Sequence, residues 1–246
     1  MKITKIIFIG KEIKMKKIIL AFIISFFMIG VSHADNDVFI TQAGATFTAN
    51  INMDGNGNQM GNSTTVFTAT GANQTFDIDQ IGATNVIDGS FIGAGATDVE
   101  DLAISQTGNS NQATITVGTN AAADDVHITE TTVGNSNNTT YNVGTAASVS
   151  DVDIDVVFNS GADSNTLIIN ENSTASTQTD KDTNVTVTGD SNTITITHLG
   201  AAHHNTTLTH VGASGTFVIT QNGNNASDVV LSTNGAGHSV TITSDD

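Results

Sequence analysis

A glycine-led phrase returns along this chain at a nearly constant interval. Gly82, Gly108, Gly134, Gly161, Gly189, Gly212 and Gly235 are separated by 26, 26, 27, 28, 23 and 23 residues. The clearest copies run GNSNQATITVGTNAAADDVHITETTV from Gly108 and GNSNNTTYNVGTAASVSDVDIDVVFNS from Gly134. A unit this short cannot bury an apolar face alone, so a period of this size specifies an array of units packed on one another.

Inside each unit, short runs alternate apolar and polar residues, as in Phe76 to Gln80, Thr114 to Val117, Thr193 to Thr197 and Val240 to Thr243. Period two describes strands with one buried and one wet face. The GNSN, GADSN and GDSN pieces between them supply residues that tolerate the positive φ of tight bends. Each unit therefore holds two strands of roughly 5–6 residues and two bends. Such units could pair as hairpins in a sandwich or stack in parallel. Stacking explains why the bend sequence itself repeats. The expectation is an all-β β-solenoid of stacked strand-turn-strand repeats, each about 23–28 residues long.

Parity assigns the interior. Leu102, Ile104, Gln106 and Gly108 share one face, and Asn111, Ala113, Ile115 and Val117 the next. A buried amide must be hydrogen-bonded, and identical amides stacked on successive coils bond one another. The candidate ladder residues are Gln42, Gln80, Gln106 and Gln221, with Asn85, Asn111, Asn137, Asn165 and Asn192. In other copies the Gln slot reads Thr132, Asn159, Val187 and His210. The turn glycines are Gly44, Gly82, Gly108, Gly134, Gly161, Gly189, Gly212 and Gly223.

Met15 to Ala34 has the charged start, apolar stretch and small-residue end of a secretory signal. Met1 to Lys14 then reads as an upstream extension or a mis-called start. The division is 1–34, signal peptide with extension, and 35–246, repeat domain. Residues 35–246 carry 23 acids against the single base Lys181, a formal charge of −22. One cation cannot neutralise a phosphate backbone, which excludes nucleic acid as a partner. Adhesion to an anionic membrane surface is disfavoured for the same reason, and no segment after the signal reads as a membrane insertion. The chain has no Cys and no Pro. Without disulfides another brace must hold an exported fold, and missing Pro suits a chain made of central strands.

At these residues the sequence resembles the curlin repeat of bacterial curli fibre subunits, Ser-x5-Gln-x-Gly-x-Gly-Asn-x-Ala-x3-Gln. Gln106-Thr107-Gly108-Asn109-Ser110-Asn111-Gln112-Ala113 matches its Gln, first Gly, Asn and Ala, and Gln80, Gly82 and Asn85 match Gln, Gly and Asn. Gln42-x-Gly44 and Gln221-x-Gly223 match the Gln-Gly half only. The leading Ser falls at Glu100 and the closing Gln at Val117. The family's Gly-rich leader is absent between Ala34 and Ile40. The resemblance implies a secreted subunit of an extracellular amyloid-like fibre for adhesion and biofilm matrix. Its partner would be itself, head to tail, with a nucleator subunit and a secretion channel as further partners.

Other chemistries compete. The carboxylate pairs Asp77/Asp79, Asp98/Glu100/Asp101, Asp124/Asp125, Asp151/Asp153/Asp155 and Asp180/Asp182 spread over every copy, which reads as solubilising charge. Asp151, Asp153 and Asp155 share one strand face and have oxygens for Ca²⁺, but lack a known calcium-loop pattern. His198, His203, His204 and His210 lack zinc spacing and read as a solvated bend. No nucleophile elbow or phosphate loop occurs, so neither enzyme activity nor a cofactor is expected. Thr-x-Thr pairs at Thr114/Thr116, Thr186/Thr188, Thr193/Thr195/Thr197, Thr207/Thr209 and Thr241/Thr243 resemble ice-binding arrays, with breaks near Ile87 and Leu167. A non-polymerising surface adhesin is the remaining alternative.

Overall fold

The computed structural model describes residues 36–44, 46–55, 57–61, 67–82, 84–92, 99–108, 110–118, 123–134, 136–144, 149–159, 164–172, 180–200, 203–223 and 227–245. The expected signal segment and Gly161 lie outside the described residues.

Among the described residues seventeen strands follow one another: β1 (Thr41–Ala43), β2 (Phe47–Asp54), β3 (Phe67–Thr70), β4 (Gln74–Ile81), β5 (Ile87–Ile92), β6 (Val99–Thr107), β7 (Gln112–Val117), β8 (Ala123–Val133), β9 (Asn138–Val143), β10 (Val149–Phe158), β11 (Thr166–Asn172), β12 (Asp180–Thr188), β13 (Thr193–Leu199), β14 (His203–Val211), β15 (Thr216–Asn222), β16 (Ser227–Asn234) and β17 (Ser239–Asp245). Odd strands stack as a nine-stranded sheet and even strands as an eight-stranded sheet, each in chain order. Every pairing between them is parallel. The molecule is a β-solenoid, and its repeats lie on top of one another.

Two sheets face each other across a core filled from the inward position of each strand. Phe76, Leu102, Ile128 and Ile154 form one column on the even sheet. Ile115, Tyr141, Ile169, Ile196 and Ile219 form one on the odd sheet. All of these side chains are buried. Parallel strands usually need both sheet faces covered. Here each sheet has one face on the core, and its outer face carries polar side chains that tolerate water. β-Branched residues fit this half-buried pleat, which accounts for the Ile, Val and Thr bias. Even strands from β4 to β16 hold 8–11 residues, longer than the sequence-based expectation, because residues after the second bend, such as Asp125 to Ile128, continue the strand.

Close stacking at one bend dictates glycine. Gly82 and Gly108 have φ of 147° and 154°. A Cβ on Gly108 would run into the carbonyl oxygen of Gly82, and one on Gly82 into that of Gly55. Any other residue would force the coils apart. Gly55, 27 residues before Gly82, is the first member of this stack and precedes the first glycine of the periodic series. Gly134, Gly189 and Gly212 occupy the same kind of bend. Gly44 and Gly223 belong to the opposite bend, where they neighbour Gly71 and Gly200.

Candidate functional site: ladders, polar core, outer faces and open end

Amide ladders run inside the bends. Gln80 and Gln106 are register partners, and Gln106 Nε2 donates to Gln80 Oε1 at 2.8 Å. Asn85 Nδ2 donates to Asn58 Oδ1 at 2.8 Å and Asn111 Nδ2 to Asn85 Oδ1 at 2.6 Å. Farther along, Asn137 Nδ2 donates to Asn165 Oδ1 at 2.7 Å and Asn165 Nδ2 to Asn192 Oδ1 at 2.6 Å. The two Asn runs point in opposite directions. Where they meet, Asn111 Oδ1 and Asn137 Oδ1 are buried and accept no hydrogen bond.

Placement corrects several sequence assignments. Gln42 and Gln221 stand on the odd sheet, away from Gln80 and Gln106, in the column that also holds Val117, Val143, Glu171 and His198. Gln221 Nε2 donates to His204 O and Thr206 Oγ1, both at 3.1 Å. The slot assigned to Asn159 is filled by Phe158, the register partner of Thr132, while Asn159 is exposed. Asn58 was legible at the same offset from Gly55 that Asn85 has from Gly82. Gln74, buried and donating to Gly44 O at 3.2 Å and Ala72 O at 3.0 Å, had no such signal.

The largest correction concerns the histidines. His198, His204 and His210 are fully buried, and only His203 is exposed. They belong to an ionisable core. Lys181, also fully buried, donates through Nζ to the backbone carbonyls of Glu171 at 3.0 Å and Leu199 at 2.6 Å. Glu171 Oε1 accepts from Thr183 Oγ1 at 2.8 Å and lies 3.4 Å from His198 Nε2. The His198 and His204 rings meet edge to face at 5.4 Å. Neither ring nitrogen of His204 has a hydrogen-bond partner. Burial, helped by the charges of His198 and Lys181, pushes the His204 imidazole down to about 4. Burial likewise pulls the Lys181 amine down to about 8, opposed by Glu171. His210 is lowered by burial and by His238.

A second buried acid lies earlier in the chain. Glu130 accepts from Thr132 Oγ1 at 2.8 Å, Thr139 Oγ1 at 2.9 Å and Tyr141 OH at 2.8 Å. Burial raises its carboxyl above the ordinary range despite these three bonds. The same burial, together with Glu130, raises the Tyr141 phenol.

The outer faces differ in kind. Even strands β4 to β12 turn Asp77, Asp79, Asp101, Asp125, Asp151, Asp153, Asp155, Asp180 and Asp182 to solvent. In-register pairing sets Asp125 beside Asp151 and Asp153 beside Asp182. Asp77 and Asp153 are raised, chiefly by partial burial and then by neighbouring carboxylates. His127 relieves one column, lying 3.3 Å from Asp101 and 4.0 Å from Asp153. The ligand atoms of His127, Asp153 and Asp155 fall within 4.8 Å of one another on this open surface. The odd sheet instead presents mostly Thr, Asn and Gln, with Ile168, Leu199 and Val218 among them and Asp88 on β5. Ile87 and Leu167 are inward residues, and beside them the outward Asp88 and Ile168 interrupt the Thr column, where the sequence placed the breaks. Thr186, Thr188, Thr207 and Thr209 belong to the even sheet.

Among the described residues the last rung is open on its outer side. Val240 and Ile242 stack on inward-facing Phe217 and Ile219, yet they are 44% and 46% exposed. β16 and β17 each pair on one side only. No helix among the described residues is long and apolar enough to cross a membrane. Comparison with protein-family models, with curated proteins and with solved structures returns no match.

Proposed function

We propose that this chain is a structural subunit that stacks end to end into an extracellular fibre. The observation that carries the reading is the parallel, in-register stack of rungs, whose last described rung has an open edge. Val240 and Ile242 expose apolar surface where a further rung would bury it, and β16 and β17 each have one edge with no neighbouring strand among the described residues. Such edges template addition of another strand. Stacking one end on the other is heterologous and does not close, so it extends into filaments.

The resemblance to the curlin repeat supports the finer reading, a secreted curli-like fibre serving adhesion and biofilm matrix. The chain's ionisable core is shut from solvent, and its acidic outer face suits a subunit kept apart by self-repulsion until it stacks. Purified chain, incubated and examined by electron microscopy and fibre diffraction, should form unbranched filaments with a strand repeat of about 4.8 Å along the axis and a sheet spacing of about 10 Å. Persisting monomers at high concentration would refute the proposal. Carboxylates titrate near pH 4, so the lag at pH 4 should be shorter than at pH 7.5. Equal lags at matched ionic strength would remove the acidic face from the account.

A further inference from the structure

The two outer faces impose opposite rules on side-by-side contact. On the odd sheet the central outward column begins at Asp88 and then runs uncharged through Thr114, Thr140, Ile168, Thr195 and Val218. From β7 to β15 no described outward side chain on this sheet carries a formal charge. Asn170 Nδ2 donates to Asn142 Oδ1 at 3.0 Å along the stack, an external amide ladder. The even sheet sets aspartate beside aspartate in successive strands. Two copies meeting through that side would bring like charges together, and directly opposed like charges are destabilising.

Parallel, in-register sheets of low charge have a characteristic way of burying an outer face. Identical side chains interdigitate with those of a second such sheet, in a dry interface strengthened by amide ladders. Between β7 and β15 the odd face has each of these properties: parallel register, Thr columns with an Asn142–Asn170 pair, and neutrality, bounded by Asp88 on β5 and Asp245 on β17. Ile168 and Val218, two of its apolar outward residues, share a column with Thr140 and Thr195, whose methyl groups would pack with them.

We propose that the outer face of the nine-stranded sheet is a self-association surface, which pairs face to face with the same face of a second copy. The acidic even faces then point outward on both sides of the pair. This contact uses a surface perpendicular to the open rung, so it stands apart from end-to-end stacking and does not depend on it.

The chain contains no cysteine, so single cysteine probes are clean. Thr195→Cys and Thr220→Cys mark the odd face, and Thr186→Cys marks the even face. All three replace outward side chains, and far-ultraviolet circular dichroism checks that each variant keeps its β structure. A thiol cross-linker spanning the packed-sheet distance of about 10 Å should give covalent dimers from both odd-face variants. Their yield should exceed that of Thr186→Cys by about tenfold, a preference of about 1.4 kcal/mol. Adding Thr195→Asp to Thr220→Cys should abolish the product. Equal yields from the two faces, or no dimer from either odd-face variant, would overturn the proposal. So would a chain that stays single and produces thermal hysteresis, which would assign the Thr columns to ice. Electron microscopy of the same samples reads end stacking separately, so loss of filaments and loss of face pairing are distinguishable.

Discussion

The core between β3 and β9 and the core between β11 and β15 are built from the same alternation, yet they are held together differently. In the first, Phe67, Phe76 and Phe91 pack edge to face, with ring centroids 4.5–5.3 Å apart. In the second, the column that begins Phe76, Leu102, Ile128, Ile154 continues as Thr183 and Thr206. Lys181, Glu171, His198 and His204 fill the space around those threonines. The backbone treats both alike, since strand register buries whatever occupies an inward position. The energetics differ. Apolar burial is favourable without partners, whereas a buried polar group costs unless it is hydrogen-bonded. His204 has no such partner, so the later rungs are the weaker part of the stack and the part that senses pH.

The sharpest way to break this contrast is to damage each core in turn. Phe76→Ala should cost about 3–5 kcal/mol, the usual range for a large buried aromatic, read by denaturant unfolding. Gln106→Lys should cost a comparable amount, because it places an unpaired charge beside Gln80. Thr116→Lys on the wet side of the neighbouring strand should stay within about 0.5 kcal/mol. Similar losses from Gln106→Lys and Thr116→Lys would mean that parity has been misassigned.

Acid should open the later rungs next. The His204 folded value is about 4, below its ordinary 6.5. Its contribution is therefore intact above pH 6.5 and is lost as pH falls toward 4, by at most about 3 kcal/mol. His210 acts in the same direction. The groups around His204 are Lys181 from β12, Glu171 from β11 and His198 from β13, with His203 beside it in sequence. Glu130 has the opposite sign: its raised carboxyl favours the fold when protonated, and that contribution is lost as pH rises through the folded value. Hydrogen exchange followed by mass spectrometry, corrected for intrinsic rates, should show β12 to β15 losing protection between pH 7 and 4.5 while β6 to β8 keep theirs. Uniform loss along the chain would erase the contrast.

Smaller effects refine it. Tyr141→Phe deletes the 2.8 Å bond to Glu130 and should cost about 1–2 kcal/mol. His204→Val restores the residue type that Val126 and Val152 hold in the same column. It should be neutral or stabilising at pH 7, and should flatten the acid response of the later rungs.

Much of this architecture was legible in the residues. Glycine spacing gave the stack, and alternation placed Leu102, Ile104, Ala113 and Ile115 inside and the aspartates outside. The histidines were misread because four within a short polar stretch look like a solvated bend. Parity held the answer: His198 follows Ile194 and Ile196 at period two, and His204 and His210 flank Leu208 in the same phase. The sheet of Gln42 and Gln221 was hidden for another reason. A Gln-x-Gly phrase closes odd strands at Gln42 and Gln221 and even strands at Gln80 and Gln106, and only register tells one edge from the other.

Spin-label distances test the stacking claim most directly. In the cysteine-free chain, labels on Thr114 and Thr140 sit one rung apart, those on Thr114 and Thr195 three, and those on Thr114 and Thr241 five. The account predicts that separation grows linearly by about 4.8 Å per rung. Distances that alternate or fail to increase, as side-by-side antiparallel repeats would give, would contradict it.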